Sequence, residues 1–337
     1  MKILAIRLAR LGDVILLLPA LGLLKAAFPS ARLTFLTGHR CAAIAELCPH
    51  IDEVIAVNRV AMRDGSVVNA VGEMFKLVRD IRGRRFDLVV DFHSFRETNL
   101  LTWLSGAPVR LGLKRFKGPY LGFCFNRPPV LEDKSLHVAE MFQTVVEEVP
   151  QMEPSPGHRP PSSRGRGIVI PDHLRKWAGR VLPNEPHLAL YVDAPVPERV
   201  WPPERFAEVA DFAIEKLGAA VVVLSGKEGA RLADRLQETS RNRAQIYRFT
   251  DLTVPQLAAL IGSSRLLVSN DTGPMHIGPA VAVRTLGLFS VGYPEHFRPI
   301  GSADQFLRAN PIERIKVADV IGAVGQMWTI ADPDPRR

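Results

Sequence analysis

Cysteine is scarce in this chain of 337 residues, and what there is does not cluster. Cys41, Cys48 and Cys124 show no C-x2-C spacing, which excludes a zinc-type cluster, and three thiols are too few for a disulfide framework. They are expected as buried thiols. Long apolar runs are missing too: none reaches the roughly 20 residues that span a bilayer, and the longest, residues 14–24, contains Pro19. The N-terminus is basic and then apolar, but Asp13 interrupts it and no small-residue cleavage site follows, which argues against a secretory signal. A cytoplasmic location is expected. Several catalytic signatures are also absent. There is no G-x-x-x-x-G-K-[ST] loop, no G-x-G-x-x-G after the first strand, no H-E-x-x-H and no G-x-S-x-G elbow, which argues against P-loop, nicotinamide, zincin and serine-hydrolase chemistry. No short tandem repeat is visible.

What remains is an ordinary globular composition, 47% hydrophobic and 23% charged, in a chain longer than one core usually supports. Two domains are expected. The net charge of +8 favours acidic partners without choosing among nucleotides, nucleic acid and anionic lipid. Basic residues gather at Arg110, Lys114, Arg115 and Lys117, with Phe116 and Tyr120 among them. Such a run suits a solvated face, a lipid-phosphate contact or a nucleic-acid surface. No zinc finger, RNA-recognition signature or helix-turn-helix supports the last, so no nucleic-acid partner is expected.

Along the chain, short β-rich runs alternate with helical patterns. Strands are predicted at 2–7, 32–37, 53–57 and 87–92, and helices at 14–28, 41–46, 68–82 and 131–149. Residues 150–166, rich in Pro, Ser, Gly and Arg, read as a linker. The style then repeats, with strands at 187–192, 219–224, 246–249, 266–268 and 285–289 and helices at 203–217, from about 230 to 237, and at 253–261. A strand at 312–317 and a final helix at 317–328 close the pattern. This alternation predicts α/β architecture with two doubly wound parallel sheets.

The stretch 264–301 looks most like a site. Leu266-Leu267-Val268 breaks at Ser269-Asn270-Asp271-Thr272-Gly273 before an Ala/Val/Ile-rich helical segment. Asp271 and Thr272 are N-cap residue types, Gly273 admits a ligand to the backbone, and Pro274 suits a first helical turn. The first-turn N–H groups and the helix dipole would favour a phosphate there, with His276 one turn further in. Asp13, after Gly12 at a helix start, reads either as a dipole partner or as a base that takes a hydroxyl proton. Arg199 reads as a surface arginine or as a clamp on a leaving diphosphate. Glu228 reads as a first-turn glutamate or a ribose contact.

Three stretches together, KILAIRLARLGDVILLLPAL (2–21), RVWPPERFAEVAD (199–211) and SNDTGPMHIGPAVAV (269–283), resemble bacterial ADP-heptose:lipopolysaccharide heptosyltransferases, glycosyltransferase family nine. The resemblance covers nearly the whole chain. It implies a GT-B fold, two Rossmann-like domains facing across a cleft: residues 1–160 for the acceptor, 161–315 for the nucleotide sugar, and a helix and tail at 316–337 that returns to the first domain. It implies inverting transfer of a heptose from an ADP-sugar to a lipid-linked inner-core saccharide, without metal or cofactor. Carried over by position, Asp13 is the base, Arg199 faces the diphosphate, and Asp271, Thr272, Gly273, His276 and, more weakly matched, Glu228 hold the donor. Gly12, Arg96, Lys114, Arg115 and Lys117 are assigned to the acceptor, presented at the inner membrane surface, where the protein would be peripheral. Two departures stand out. Ala9 and Arg10 replace the family's serines before Gly12-Asp13, and Asp193-Ala194-Pro195 replaces hydroxyl residues ahead of Arg199. Transfer of another nucleotide sugar into cell-surface polysaccharide, or non-catalytic nucleotide-sugar binding, are the alternatives.

Overall fold

The computed structural model describes residues 1–58, 67–149, 167–301 and 303–330. The expected linker at 150–166, and with it the boundary at 160, lies outside the described residues. Two compact units are present, Met1–Gly167 and Ile168–Arg337.

The first unit runs β1 (Lys2–Arg7), α1 (Leu11–Ala27), β2 (Arg32–Gly38), α2 (His39–Ala45), β3 (Glu53–Val57), α3 (Val67–Arg84), β4 (Leu88–Asp91), α4 (Arg96–Leu104), β5 (Val109–Lys114), β6 (Val130–Leu131) and α5 (Val138–Glu147). Its strands pair in the order β3-β2-β1-β4-β5-β6, all parallel. Central strands are buried along almost their whole length, as expected where helices cover both faces. Helix α1 is apolar nearly all round and buried accordingly, with Leu16, Leu17, Leu18, Leu21 and Leu24 inside.

The second unit runs α6 (Asp172–Val181), β7 (His187–Tyr191), α7 (Pro203–Leu217), β8 (Ala220–Ser225), α8 (Ala230–Thr239), β9 (Ile246–Thr250), α9 (Val254–Gly262), β10 (Leu266–Asn270), α10 (Ile277–Ala280), β11 (Arg284–Phe289), α11 (Pro294–Phe297), β12 (Gln305–Arg308) and α12 (Val317–Thr329). Its sheet, β12-β11-β10-β7-β8-β9, is also parallel throughout. Counted from its own first strand, this is the order of the first sheet. Each unit is therefore a Rossmann-type sheet whose order reverses once, between β1 and β4 and between β7 and β10. The second core closes on Trp201, fully buried, edge-on to Phe206 and donating its indole N–H to the Ile315 carbonyl at 3.2 Å. Val320, Val324, Met327 and Trp328 of α12 pack into that same core.

Several elements differ from expectation. The strand expected at 312–317 is instead a 3-10 turn, Ile312–Arg314, followed by α12. Ile312 and Ile315 bury together at a spacing of three, the period of that turn and not of a strand. The true edge strand, β12, is mostly exposed and lacks an apolar signature. The helix expected at 131–149 starts at Val138, where His137 and Glu140 form a capping box. Strands β5 and β6 and helices α4 and α6 had no counterpart in the sequence reading. The three cysteines are buried and free, and burial pushes the thiols of Cys41 and Cys48 up to about 11.

Candidate active site

Ligands of open α/β sheets bind beyond the carboxyl ends of the strands, where the strand order reverses. In the first unit that place is the end of β1 and β4. Arg7, the last residue of β1, is the one charged residue of an otherwise apolar strand after Lys2, and its side chain is only 4% exposed. Its Nη1 donates to the Phe92 carbonyl at 2.7 Å and its Nη2 to Asp13 Oδ1 at 3.0 Å, while the guanidinium lies 4.8 Å from the Phe142 ring centroid. Burial holds Arg7 below the usual arginine range, with Asp13 opposing the shift and Arg115 adding to it. Asp13 sits in the first turn of α1, which begins at Leu11, three residues before expectation. Its side chain is 29% exposed. The helix is not side-chain capped.

Beside it, Asp91 at the end of β4 is fully buried. It accepts the N–H groups of His93 and Ser94 at 2.9 and 3.0 Å and the Asn99 side-chain amide at 2.9 Å. Burial raises its pKa against the pull of those bonds. Asn99 in turn accepts the Leu121 N–H at 3.0 Å, which ties the loop after β5 to this turn. Arg115 in that loop is half-buried, 5.1 Å from the Phe95 ring, whereas Arg96, Lys114 and Lys117 are exposed. Lys114 Nζ stands 5.9 Å from the Tyr120 ring.

In the second unit the equivalent place is the end of β7 and β10. Asn270 donates to the Val192 carbonyl at 2.9 Å and accepts the Trp201 N–H at 3.1 Å, pinning both ends of the 193–200 loop. Ser290 donates to the Glu198 carbonyl. The 3-10 turn Pro197–Arg199 held there points Arg199 at Asp271, with Nη1 3.1 Å from Oδ2 and 3.3 Å from the backbone carbonyl. Asp271 is only 8% exposed and Arg199 31%. Burial raises the Asp271 pKa, and Arg199 opposes it. Gly292 touches the same carboxylate: a Cβ there would lie 2.1 Å from Oδ2.

The expected capping roles are corrected. Thr272 stands at the N-cap without a side-chain cap bond, and the Asp271 carboxylate is taken by Arg199. The expected helix is a 3-10 turn, Gly273–His276, followed by the single turn α10, and His276 is buried. Thr272 and Gly273 are half-exposed beside it, and Glu228 is exposed in the turn after β8. Asp193, one of the departures noted above, folds onto that turn. It accepts the Ala194 and Gly226 N–H groups, burial raises its pKa, and a Cβ on Gly229 would fall 2.4 Å from its carboxyl carbon. Among the described residues, no three His, Cys, Asp or Glu side chains gather to hold a metal, and no helix is long and apolar enough to cross a membrane.

Arg7 was not among the residues expected at the site. The available signal was a cation ending an apolar strand six residues before an aspartate.

Comparison with known proteins bears on the fold and the family. The chain is 23% identical over 325 residues to a putative glycosyltransferase of Haemophilus influenzae, covering 92% of this chain and 89% of that one. The crystal structure of a family 9 glycosyl transferase from Veillonella parvula superposes with a TM-score of 0.82 at 24% identity, covering 97% of both chains. The Escherichia coli ADP-heptose LPS heptosyltransferase II does so with a TM-score of 0.80 at 18% identity, covering 97% of this chain and 98% of that one. These neighbours have the GT-B fold. The model of glycosyltransferase family 9 (heptosyltransferase) matches residues 74–318, so the chain belongs to that family and is a glycosyltransferase.

Proposed function

We propose that this enzyme transfers a heptose from ADP-heptose to a lipid-linked lipopolysaccharide inner-core acceptor, with inversion and without a metal. The observation that carries this reading is the pair of ion pairs at the two strand-order reversals. One leaves a carboxylate accessible and the other a guanidinium. In the reaction the acceptor hydroxyl gives its proton to Asp13 as its oxygen bonds to the anomeric carbon. The bond from that carbon to the diphosphate breaks, and ADP leaves with the electron pair. Arg199 neutralises the departing charge, as preorganised cations do. Asp271 holds Arg199 in place. Thr272, Gly273 and His276 line the donor side, and Glu228 receives the ribose hydroxyls. The donor named for the E. coli neighbour, ADP-heptose, is the reason to prefer this sugar.

Gly12, Arg96, Lys114, Arg115 and Lys117 receive the acceptor. The exposed Phe116, Phe123 and Trp103 near the basic residues suit the surface of the inner membrane, on whose cytoplasmic side the enzyme would be peripheral. The test is incubation with ADP-heptose and a heptose-free inner-core acceptor. ADP release with a matching gain in acceptor mass is expected. No turnover with that pair under conditions where the protein binds ADP would exclude the assignment.

A second reading, transfer of another nucleotide sugar, is favoured by one observation. Asp193 places a carboxylate, and Pro195 no N–H, where hydroxyl residues were expected. A panel of ADP-, UDP- and GDP-sugars separates the two by which donor is consumed.

A further inference from the structure

We infer that Arg7 is a positioning residue that fixes the orientation of Asp13 for proton abstraction. The inference rests on the reading of Asp13 as base.

A cation as deeply buried as Arg7 needs a reason, since taking a charge out of water costs several kcal/mol even after relaxation. Its setting provides one. The two terminal nitrogens serve different acceptors, the Phe92 carbonyl after β4 and Asp13 Oδ1 in the first turn of α1. The guanidinium carbon lies over the Phe142 ring of α5, 4.8 Å from its centroid. Three elements therefore fix the guanidinium, and it fixes one oxygen of Asp13. Among the described residues no other side chain binds Asp13, which leaves Oδ2 for the substrate. A lysine cannot reproduce this. Its single ammonium is a point charge, whereas the planar fork spans two acceptors at fixed angles.

A general base works only when its free oxygen lies within hydrogen-bond reach of the proton it takes. Misplacement of about 1 Å at a reacting centre lowers rates on the order of a hundredfold. Arg7 does not touch substrate in this scheme and acts through Asp13 alone.

The test is a double-mutant cycle read by steady-state ADP release. Arg7→Met is expected to lower kcat on the order of a hundredfold with donor KM within about twofold of wild type. Arg7→Lys should recover only part of the loss, and free guanidinium added to Arg7→Ala should restore a measurable part. In the Asp13→Asn background, Arg7→Met should lower the residual rate by less than about twofold, because its target is already gone. An equal loss in both backgrounds, or a wild-type kcat in Arg7→Met, would overturn the inference. Full activity in Asp13→Asn would instead remove the base assignment itself. If Arg7→Met fails to fold, Arg7→Lys and the guanidinium titration carry the test, and absence of any rescue counts against it.

Discussion

The two units use one strand order but bury opposite members of their ion pairs. At the end of β1 the cation is interior and the carboxylate reaches solvent, with Arg7 4% and Asp13 29% exposed. At the end of β10 the carboxylate is interior and the cation reaches solvent, with Asp271 8% and Arg199 31% exposed. In each case the buried partner is held by the strand ends and the exposed one is offered outward. A half-exposed acid suits a proton acceptor, and a half-exposed guanidinium suits an anion. The strand-order reversal of each unit thus carries an ion pair of opposite polarity, built at the end of the first strand, β1, in one unit and of the fourth, β10, in the other.

Breaking each exposed member tests that division, and these variants should have the largest effects. Asp13→Asn should lower kcat by about 10² to 10⁴ while leaving ADP binding intact, as general-base removal does. Arg199→Met should lower kcat/KM on the order of 10² to 10³ and weaken ADP binding, which calorimetry measures directly. Equal losses of ADP affinity in the two variants would contradict the proposed split between acceptor and donor halves.

Arg199→Met carries a second, pH-dependent signature. Burial already raises the Asp271 pKa, and Arg199 is the opposing influence. Without it, the buried carboxylate ionises only at a cost to folding. A raised folded-state pKa contributes stability below the unfolded value and loses it as pH rises through the folded value. The thermal-stability deficit of Arg199→Met should therefore be smallest near pH 4 and grow as pH rises above the ordinary carboxylate range, reaching up to about 3 kcal/mol. A deficit that is flat with pH would mean that Arg199 does not serve Asp271.

Much of this was legible in the sequence, for identifiable reasons. Central strands such as β4 and β10 are short apolar runs, and α1 is apolar all round, so composition alone marks them. The edge strands β6 and β12 are short and largely exposed, and carry no such mark. Asp13, Arg199 and Asp271 stood out as polar groups at breaks in the apolar pattern. The pairing of Arg199 with Asp271 did not, because it spans 72 positions and depends on the β7–β10 pairing. Arg7 was hidden as the end of a strand. The capping role expected of Asp271 was a local inference that a long-range charge overrode.

The exposed surface of the first unit offers a smaller effect. Lys114, the last residue of β5, and Lys117 just after it are exposed on either side of Phe116, next to the edge strand β6. A basic residue near an anionic membrane surface contributes about 1 kcal/mol. The Lys114→Gln/Lys117→Gln pair should therefore reduce partition onto phosphatidylglycerol vesicles on the order of thirtyfold, with activity on a soluble acceptor fragment changed far less. Unchanged flotation of the double variant, or wild-type protein that ignores such vesicles, would remove the membrane reading.

The smallest effect expected is at Gly292, and it probes the ion pair of the second unit. The methyl of Gly292→Ala would fall 2.1 Å from Asp271 Oδ2, the same oxygen that pairs with Arg199, and 3.2 Å from the Phe289 ring. Asp271 is nearly buried and has little room to retreat, so the pair must open. Overpacking of this kind typically destabilises by about 1–3 kcal/mol. Because the Arg199 guanidinium stays present and only loses its fixed direction, donor KM should rise by roughly tenfold, less than in Arg199→Met, with ADP affinity following KM. Full donor affinity in a Gly292→Ala protein of lowered stability would show that the exact seat of the Asp271 carboxylate is irrelevant to the guanidinium. The contrast between the two strand ends would then rest on charge sign alone.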